Sequence, residues 1–510
     1  MGVFTAGAVN PKTKFDPLCA VVAAPSATEM AAQLRHALRF TRTAELRLDW
    51  LRNGAERRRL FAWLARHKPA AELIATCRRR AAGGRFPGGL AEQRNVLEAA
   101  AEAGCRWYDL EIESVEAAGK FEPIAPRRAG AIISLHRFGA TWEDPQVLLR
   151  RFRPVPGTIW KLAVECRGLR DAVHLIRLAE RRSRAKGMVL VPMGRHTLAA
   201  RVLAPSRGSL FTYAAESAHT APGQPSLETA IREYRADRIT PRTRVYGIVG
   251  NKAGHSISPA MHNAAFAAQG FPGVYLPFPA ERLEDFLGAI GPLDIRGFSV
   301  TIPYKQTIVA HLAGCDALAH RLGAVNTVVV RRGKLYGYNT DYAGVLAALR
   351  PKVQLRGCRA LILGAGGAAR AAAFALTDEG SRVVICARRT EQAAELARAV
   401  GAQTIARSEL RRRSFDLIVN ATPAGMLPDR SSPLAGAELR APVVFDMVYR
   451  PLETPLLRQA ASHGLETISG LEMLVAQGVA QWELWTRKQA PAGRMRRAAL
   501  EALRRAETEG

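Results

Sequence analysis

Residues 360–370 read Ala-Leu-Ile-Leu-Gly-Ala-Gly-Gly-Ala-Ala-Arg, a short apolar run that leads directly into a glycine loop. The run predicts a buried strand, and the alanine-rich stretch after the loop predicts a helix that ends near Gly380. In such a unit Gly364 permits the tight turn, Gly366 lets the backbone approach a pyrophosphate, and Ala369 allows the helix to pack closely. The stretch therefore predicts a Rossmann-type dinucleotide-binding domain.

The next predicted strand, residues 382–386, is followed by arginines and not by an acid. Its sequence, Arg-Val-Val-Ile-Cys, leads into Ala387-Arg388-Arg389. An acidic residue at this place binds the 2′-hydroxyl of NAD, whereas arginines favour the 2′-phosphate of NADP. We therefore predict NADP(H) as the cofactor, with a solvated helix start as the alternative interpretation of the two arginines.

Two polar motifs precede the glycine loop along the chain. They are Gly-Phe-Ser-Val-Thr-Ile-Pro-Tyr-Lys at 297–305 and Tyr-Asn-Thr-Asp at 338–341. A hydride-transfer enzyme needs a cofactor cradle and a separate polar site that handles a proton. We expect Lys305 and Asp341 to form that polar pair, and a surface ion pair is the alternative.

A third polar motif, Ser-Ile-Ser-Pro-Ala-Met-His-Asn, lies further upstream at 256–263. Ser258 before Pro259 predicts a helix cap, and a helix start offers free N–H donors. Two hydroxyls beside a helix N-terminus suit a carboxylate. Capping without any ligand is the alternative interpretation.

The first half of the chain alternates short apolar runs with helical patterns, which predicts a closed (β/α)8 barrel. The predicted strands share an apolar, partly alternating composition and lie at 19–23, 45–49, 73–77, 107–111, 131–135, 159–163, 188–192 and 209–213.

Barrel enzymes place their chemistry at the carboxyl ends of the strands, where His136 follows the fifth strand and Lys161 lies inside the sixth. A lysine inside a barrel strand is costly to bury unless it is paired or its pKa falls, and a neutral lysine can form an imine with a ketone. A lysine at the rim and a hydrogen-bonded core histidine are the alternatives. Charged groups at other strand ends, such as Arg47 and Arg78, suit a substrate carboxylate.

The motifs of residues 18–225 resemble type I 3-dehydroquinate dehydratase. They include Glu-Leu-Arg-Leu-Asp at 45–49, Thr-Cys-Arg at 76–78, Ser-Leu-His at 134–136, Lys-Leu-Ala at 161–163 and Ala-Pro-Gly-Gln at 221–224. The resemblance implies that Lys161 forms an imine with the substrate ketone and that His136 removes and returns the proton. It also implies substrate-binding residues, namely Glu45, Arg47, Arg78, Arg201, Thr220 and Gln224.

The chain departs from the pattern of this family at two positions, Ala82 and Thr220. Many members carry glutamate before the Gly83-Gly84 pair, near the histidine, where this chain has Ala82. The departure predicts a differently oriented His136 and a reduced dehydration rate. Thr220 stands in place of a serine and keeps the hydroxyl.

The motifs of residues 245–490 resemble shikimate dehydrogenase, through the three polar motifs, the glycine loop, Asn-Ala-Thr-Pro at 420–423 and Gly470 to Gln477. The resemblance implies catalysis by Lys305 and Asp341. It implies that shikimate is bound by Ser256, Ser258, Thr301, Asn326, Tyr449 and Gln477. It implies that the cofactor is bound by Gly364, Ala365, Gly366, Gly367, Ala368, Ala369, Arg388, Arg389, Asn420, Thr422, Met447 and Gly470. Ala387 replaces a common asparagine, which loosens the expected adenine contacts.

The composition narrows the class of protein. The 510 residues carry a net charge of +28, but no nucleic-acid motif or aromatic interleaving accompanies the arginines. We therefore expect anionic small molecules, and not nucleic acid, as partners. Seven singly scattered cysteines suggest reduced thiols and no metal site. The absence of a long apolar run and of a signal peptide predicts a cytoplasmic protein.

The whole chain resembles the fused dehydratase–dehydrogenases of the shikimate pathway. We predict a barrel over 1–225, a helix and linker over 226–243 with the helix ending at Asp237, a shikimate-binding domain over 244–345, an NADP-binding domain over 346–470 and C-terminal helices over 471–510. The alternatives are a quinate/shikimate dehydrogenase with a weak or inactive barrel and a non-enzymatic regulator built from these domains. The paired serines and the arginines favour shikimate and NADP.

Overall fold

The computed structural model describes residues 15–119, 121–125, 128–139, 142–152, 157–181, 187–217 and 221–508. The chain divides into two compact units: the first runs to Thr243 and includes Glu284–Leu293, and the second comprises Arg244–Leu283 and the chain from Asp294 onward. Among the helices of the described ranges, none combines the length and hydrophobicity needed to cross a bilayer.

The described part of the first unit contains a sheet of eight parallel strands in the order β7-β6-β5-β4-β3-β2-β1-β8. The strands are β1 Leu18–Val22, β2 Thr43–Arg47, β3 Glu72–Thr76, β4 Trp107–Glu111, β5 Gly130–Arg137, β6 Thr158–Glu165, β7 Met188–Met193 and β8 Thr212–Ala215. The helices between them are α1 Ala27–Ala37, α2 Gly54–His67, α3 Leu90–Glu102, α4 Ile112–Ala117, α5 Pro145–Leu148, α6 Leu169–Arg181 and α7 Leu198–Leu203.

The sheet nearly closes on itself, which confirms the predicted barrel fold. β8 pairs with β1, and the Leu210 N–H donates to the Met188 carbonyl at 2.8 Å on the β7 side. The eighth strand begins three residues later than predicted. The reason is local: the Ser209 hydroxyl accepts the Leu190 N–H at 3.1 Å, so a side chain replaces backbone pairing there.

The interior of the barrel is apolar towards one end. Alternate side chains of its strands form a buried cluster that includes Cys19, Ile74, Ile132, Ile159 and Phe211. Alternation along a strand sends the intervening residues to the helices outside. The inward positions at the carboxyl ends are the ones left for polar side chains.

The helix after the barrel is shorter than predicted. Residues 227–233 form a brief helix with a π-helical turn, and a 3-10 turn follows at Ala236–Arg238. Arg235 between them adopts a positive φ of 51°, which ends the helix before the predicted limit at Asp237.

The second unit begins with a six-stranded sheet among its described residues, in the order β10-β9-β11-β13-β14-β12. Its strands are β9 Arg244–Gly250, β10 Gly273–Pro279, β11 Ile295–Val300, β12 Gly314–Cys315, β13 Thr327–Arg331 and β14 Lys334–Tyr338. β9, β10 and β11 are parallel, and β13 is antiparallel to β11 and β14. The accompanying helices are α8 Ser258–Ala268, α9 Leu283–Ile290, α10 Ala317–Leu322 and α11 Asp341–Leu349.

A parallel sheet follows, in the order β17-β16-β15-β18-β19-β20 within the described chain. Its strands are β15 Arg359–Leu363, β16 Arg382–Cys386, β17 Gln403–Thr404, β18 Leu417–Asn420, β19 Val443–Asp446 and β20 Glu466–Ser469, and its helices are α12 Gly367–Asp378, α13 Thr390–Val400 and α14 Pro455–Ser462. In chain order this is 3-2-1-4-5-6, the order of the dinucleotide-binding fold, which reverses between β15 and β18. The predicted Rossmann fold is confirmed.

Two further helices end the described chain, α15 Gly470–Thr486 and α16 Ala492–Thr508. Their apolar residues, among them Trp482 and Met495, pack with Tyr246 of β9 and Phe266 of α8. The chain thus leaves the Rossmann sheet and returns to the earlier sheet, which places Gln477 of α15 beside residues from both.

Candidate active sites

A cavity of about 60 Å³ lies inside the barrel, lined by polar and apolar side chains from the carboxyl halves of the strands and from the segments that follow them. The lining contains these residues singled out from the sequence: Glu45, Arg47, Arg78, His136, Lys161, Arg201 and Gln224. Thr220 lies outside the described residues. The fold therefore brings these side chains to one site, while their roles stay predictions.

Lys161 is buried and paired on two sides. Its Nζ donates to Asp109 Oδ2 at 2.9 Å and to Glu45 Oε1 at 3.3 Å, and it lies 4.5 Å from the centre of the Tyr213 ring. Buried charges persist only where partners offset the loss of hydration. The two carboxylates and the ring therefore explain how a lysine occupies the inside of a barrel strand.

His136 is held by Arg78 at the carboxyl end of β5. Its Nε2 lies 2.7 Å from Arg78 Nη1, and because a guanidinium only donates, Nε2 is the acceptor. Burial, followed by the charges of Arg78 and Lys161, holds the pKa of His136 well below its usual range. The imidazole is therefore neutral at neutral pH, the state that a general base requires.

Asp109 joins the two groups and was not singled out as a site residue from the sequence. Its Oδ2 accepts from Lys161, and its Oδ1 accepts from Ser134 Oγ at 2.6 Å and from Arg78 Nη2 at 3.1 Å. Burial alone would raise the pKa of Asp109, but the charges of Lys161 and Arg78 lower it well below the usual range. The available signal was the alternation of Asp109 and Glu111 on β4, which puts both on the inner face.

The predicted arginines of this cavity differ in what they bind. Both arms of the Arg47 fork donate to Asp49, at 2.9 and 2.8 Å. Arg201 donates once to the Pro222 carbonyl, at 3.1 Å, and its buried Nε and Nη1 have no partner among the described residues. Burial lowers the pKa of Arg201 to about 10, so it stays charged at neutral pH. Arg201 thus offers unsatisfied, charged donors that suit a carboxylate.

A second cavity, of about 140 Å³, lies in the second unit. The predicted residues in its lining are Ser258, Thr301, Lys305, Asn326, Asp341, Ala368, Met447, Tyr449, Gly470 and Gln477. They come from both sheets and from α15. The arrangement puts the predicted proton-handling pair in the same space as side chains expected to contact substrate and cofactor.

Lys305 and Asp341 meet, as expected. Lys305 Nζ donates to Asp341 Oδ2 at 2.5 Å. Asn326 Nδ2 donates to the other carboxylate oxygen at 2.8 Å and to Thr340 Oγ1 at 3.0 Å. The side-chain amide of Asn326 therefore holds the Asp341 carboxylate in place, and that carboxylate in turn holds Lys305.

The expectation that Ser258 caps a helix is wrong. α8 begins at Ser258 itself, Ile257 occupies the capping position, and the Ser256 hydroxyl accepts the Ser258 N–H at 3.2 Å. The Met261 N–H donates to the Ile257 carbonyl at 3.3 Å, so helical hydrogen bonding begins one residue earlier than predicted. Ser258 faces the cavity, and Ser256 is hydrogen-bonded to the Tyr449 side chain.

The glycine loop has the space that a dinucleotide needs. Gly364 has a φ of +109°, and a Cβ there would lie 3.2 Å from the Ala421 carbonyl oxygen. A Cβ on Gly366 would meet nothing within 4 Å, so the backbone is open on that side. The loop leads into α12, whose first N–H groups are free to receive a phosphate. Arg388 and Arg389 are exposed just beyond β16. These features fit NADP(H).

Asn420 is enclosed by the protein. Its Nδ2 donates to Asp446 Oδ1 at 2.9 Å, and its Oδ1 accepts from Thr422 Oγ1 at 2.7 Å. Burial raises the pKa of Asp446 to about 6, although a hydrogen bond from Thr454 Oγ1 opposes that change. In this structure Asn420 therefore shapes the loop after β18 with its side chain.

Both halves of the chain match known protein families. Residues 18–241 match the type I 3-dehydroquinase family, and 248–328 match the substrate-binding domain of shikimate dehydrogenase. Residues 346–431 match shikimate/quinate 5-dehydrogenase, and 470–500 match the C-terminal domain of shikimate 5′-dehydrogenase. A chloroplastic bifunctional 3-dehydroquinate dehydratase/shikimate dehydrogenase of Arabidopsis thaliana is 33% identical over 93% of this chain and 82% of its own length. The chain belongs to the bifunctional 3-dehydroquinate dehydratase/shikimate dehydrogenase family.

Relatives of the second half alone are also found. The NADP⁺-dependent shikimate dehydrogenase of Symbiobacterium thermophilum is 45% identical over 51% of this chain and 95% of its own length. A solved shikimate 5-dehydrogenase of Thermus thermophilus, in complex with NADP(H) and shikimate, is 38% identical and covers 51% of this chain and all of its own, with a TM-score of 0.48.

Two of the three departures noted in the sequence, Ala82 and Ala387, lie at described positions, and Thr220 does not. Ala82 ends a 3-10 turn at Arg80–Ala82 and is half-buried, and in this chain the ring of His136 is oriented by Arg78. Ala387 is half-buried beside the exposed Arg388. No group of three or more histidine, cysteine, aspartate or glutamate side chains within the described ranges is placed to hold a metal.

Proposed function

We propose that this chain catalyses two consecutive reactions, dehydration of 3-dehydroquinate in the barrel and NADPH-dependent reduction of 3-dehydroshikimate in the second unit. The observation that carries the proposal is the presence, in one chain, of Lys161 with His136 in a barrel cavity and of Lys305 with Asp341 beside a glycine loop. The product of the first reaction is the substrate of the second.

In the barrel, the unsatisfied donors of Arg201 bind the carboxylate of the substrate. Gln224 and Glu45 contact the hydroxyls of the substrate. Lys161 gives up a proton and attacks the ketone, water leaves, and an imine forms. His136 removes the proton from the neighbouring carbon, and the imine nitrogen accepts the electron pair as an enamine. The same histidine then protonates the leaving hydroxyl, and water releases the product from Lys161. Asp109 remains ionised and stabilises the positive charge that forms at the lysine nitrogen.

In the second unit, NADPH supplies a hydride when it is bound. Lys305 donates the proton that the ketone oxygen needs as it becomes a hydroxyl. Asp341 holds Lys305 in place and contacts a substrate hydroxyl, while Asn326 holds Asp341. Ser256, Ser258 and Tyr449 bind the carboxylate, and Thr301 and Gln477 bind the remaining hydroxyls.

The cofactor lies along the glycine loop in this proposal. The remaining residues of the loop, Ala365, Gly367, Ala368 and Ala369, hold the pyrophosphate and its helix, and the two arginines after β16 bind the 2′-phosphate. Thr422, Met447 and Gly470 contact the nicotinamide side, with Asn420 supporting Thr422.

We also propose the division of the chain into a barrel over 1–225, a linker over 226–243, a shikimate-binding domain over 244–345, an NADP-binding domain over 346–470 and C-terminal helices over 471–510. The break between the compact units after Thr243 supports the boundary between the linker and the shikimate-binding domain. We place the protein in the cytoplasm, because its seven cysteines are free thiols. We expect no nucleic-acid partner.

The decisive experiment follows ultraviolet absorbance after 3-dehydroquinate is added to the chain without cofactor, and then adds NADPH. We expect a rise from the conjugated product, followed by NADPH oxidation. Lys161→Ala should abolish the first phase and keep NADPH oxidation with added 3-dehydroshikimate. Wild-type protein that oxidises NADPH with added 3-dehydroshikimate but never dehydrates 3-dehydroquinate would refute the barrel assignment and identify a dehydrogenase with an inactive barrel.

A further inference from the structure

Tyr213 occupies the barrel cavity without a role in the scheme above. It lies on β8 opposite Cys19 of β1, is only 4% exposed, and lines the cavity together with Lys161 and Glu45. Its ring contacts the Lys161 ammonium, with Nζ 4.5 Å from the ring centre. A ring contact of this kind needs no hydroxyl, because phenylalanine also presents a negative ring face to a cation.

The hydroxyl of Tyr213 is buried and has no hydrogen-bond partner among the described residues. Its polar neighbours in the cavity differ in this respect: Glu45 accepts from Thr76 at 2.8 Å, and Lys161 has two carboxylates. An unpaired buried hydroxyl is destabilising, so such groups usually find a partner when the structure is complete. Among the described residues of the cavity, Arg201 and Arg78 also have buried donors without a hydrogen-bond partner. The Arg78 Nε lies 4.0 Å from the Glu111 carboxylate, and a substrate carboxylate explains the donors of Arg201.

The charge state of Tyr213 suits donation. Burial, followed by the negative charge of Glu45, raises the pKa of Tyr213 well above its usual range. The phenol therefore keeps its proton at any working pH and offers one O–H donor and an acceptor oxygen. An oxygen-rich ligand such as a hydroxylated carboxylate supplies groups of both kinds.

We propose that the Tyr213 hydroxyl is a further substrate-binding group of the barrel, which hydrogen-bonds a hydroxyl or carboxylate oxygen of the 3-dehydroquinate held by Lys161. The inference rests on the proposed dehydratase function. In this proposal the ring of Tyr213 contacts the Lys161 ammonium, and the hydroxyl of Tyr213 hydrogen-bonds the substrate.

The test compares Tyr213→Phe with wild type in the full-length chain, with 3-dehydroquinate as substrate and no cofactor. The substitution keeps the ring beside Lys161 and removes one hydrogen bond, so kcat/KM for dehydration should fall about 3- to 10-fold, the effect of one neutral hydrogen bond. Borohydride reduction followed by mass spectrometry should still trap substrate on Lys161. Tyr213→Leu, which loses the ring as well, should show a larger fall.

Tyr108→Phe is the matched control. Tyr108 is a buried barrel tyrosine outside the cavity lining, and its hydroxyl accepts the Ile124 N–H at 2.9 Å. We expect an unchanged kcat/KM for Tyr108→Phe and unchanged NADPH oxidation with added 3-dehydroshikimate for all three variants, which reports that the second unit is folded. Trapping of substrate on Lys161 by borohydride reports that the barrel is folded. Wild-type kcat and KM in Tyr213→Phe would overturn the inference while the dehydratase function stands. Absence of dehydration in the wild type would overturn both.

Discussion

His136 lies between the positive charges of Arg78 and Lys161, and these charges set the pH range in which it acts. Arg78 lowers the pKa of His136, so its removal must raise that pKa and move the acid limb of kcat/KM to higher pH. We expect this shift in the pH profile of dehydration for Arg78→Gln, in addition to weaker substrate binding. Arg85→Gln, which changes an exposed arginine over the Trp50 ring, should keep the wild-type limb. If the acid limbs of the kcat/KM profiles of wild type and Arg78→Gln coincided, His136 would be excluded as the titrating base.

The role of His136 in proton transfer can be tested separately from imine formation by Lys161. His136→Gln should lower the dehydration rate by about 10²- to 10⁴-fold, the usual contribution of a general acid–base group. Because Lys161 is intact, borohydride should still trap the substrate on it. His174→Gln changes an exposed histidine of α6 and should leave the rate as it was. A wild-type rate in His136→Gln would require another proton acceptor in the cavity.

Lys305 should be needed for the chemical step of reduction and not for cofactor binding. In Lys305→Met the donor that pairs with Asp341 is lost, and we expect kcat for 3-dehydroshikimate reduction to fall about 10²- to 10⁴-fold. The dissociation constant of NADPH, measured by fluorescence titration, should change little. Lys334→Met, at an exposed position of β14, serves as the control. If Lys305→Met kept the wild-type kcat, Lys305 would have no part in proton transfer.

At the scale of elements, the turn between β16 and α13 decides which dinucleotide is preferred. Arg388 and Arg389 are exposed there and have no acidic neighbour in the turn. Replacing both with alanine should raise KM for NADPH about 10- to 100-fold, the effect of losing charge-assisted hydrogen bonds to a phosphate. KM for NADH, which lacks that phosphate, should stay the same.

Arg398→Ala, an exposed change on α13 itself, provides the control for general charge effects. Equal increases of KM for NADPH and NADH in the double variant would mean that the arginines do not read the 2′-phosphate. The solvated helix start would then be the correct interpretation of the pair.

At the scale of the whole molecule, the two cavities belong to different compact units. A substitution in one cavity should therefore abolish only the reaction of that cavity. Lys161→Ala should keep reduction of added 3-dehydroshikimate, and Lys305→Met should keep dehydration of 3-dehydroquinate. Mixing the two variants should restore conversion of 3-dehydroquinate to shikimate, measured by chromatography, because the intermediate can diffuse. No shikimate from the mixture would show that the intermediate has to stay with one chain.

Much of this molecule follows from local patterns in the chain. The glycine loop and the strand before it predicted the Rossmann fold, because a tight turn and a close backbone approach limit the side chains allowed at Gly364 and Gly366. The repeated apolar runs predicted the barrel, because parallel strands covered by helices are buried on both faces. The boundaries of β8 and the start of α8 were missed, since the hydroxyls of Ser209 and Ser256 bind backbone groups there.

The sequence by itself determined the two folds, the order of the motifs and the residue types available for each reaction, because these depend on neighbours along the chain. Tertiary structure alone decided that Asp109 links Lys161 to Arg78, that Asn326 holds Asp341, and that the Tyr213 hydroxyl has no hydrogen-bond partner among the described residues. Lys161 and Asp109 are 52 residues apart, and Asn326 and Gln477 are 151 apart. Contacts over such distances form only when a barrel closes or a helix returns, and the energy of a buried charge is set by the partners that closure supplies.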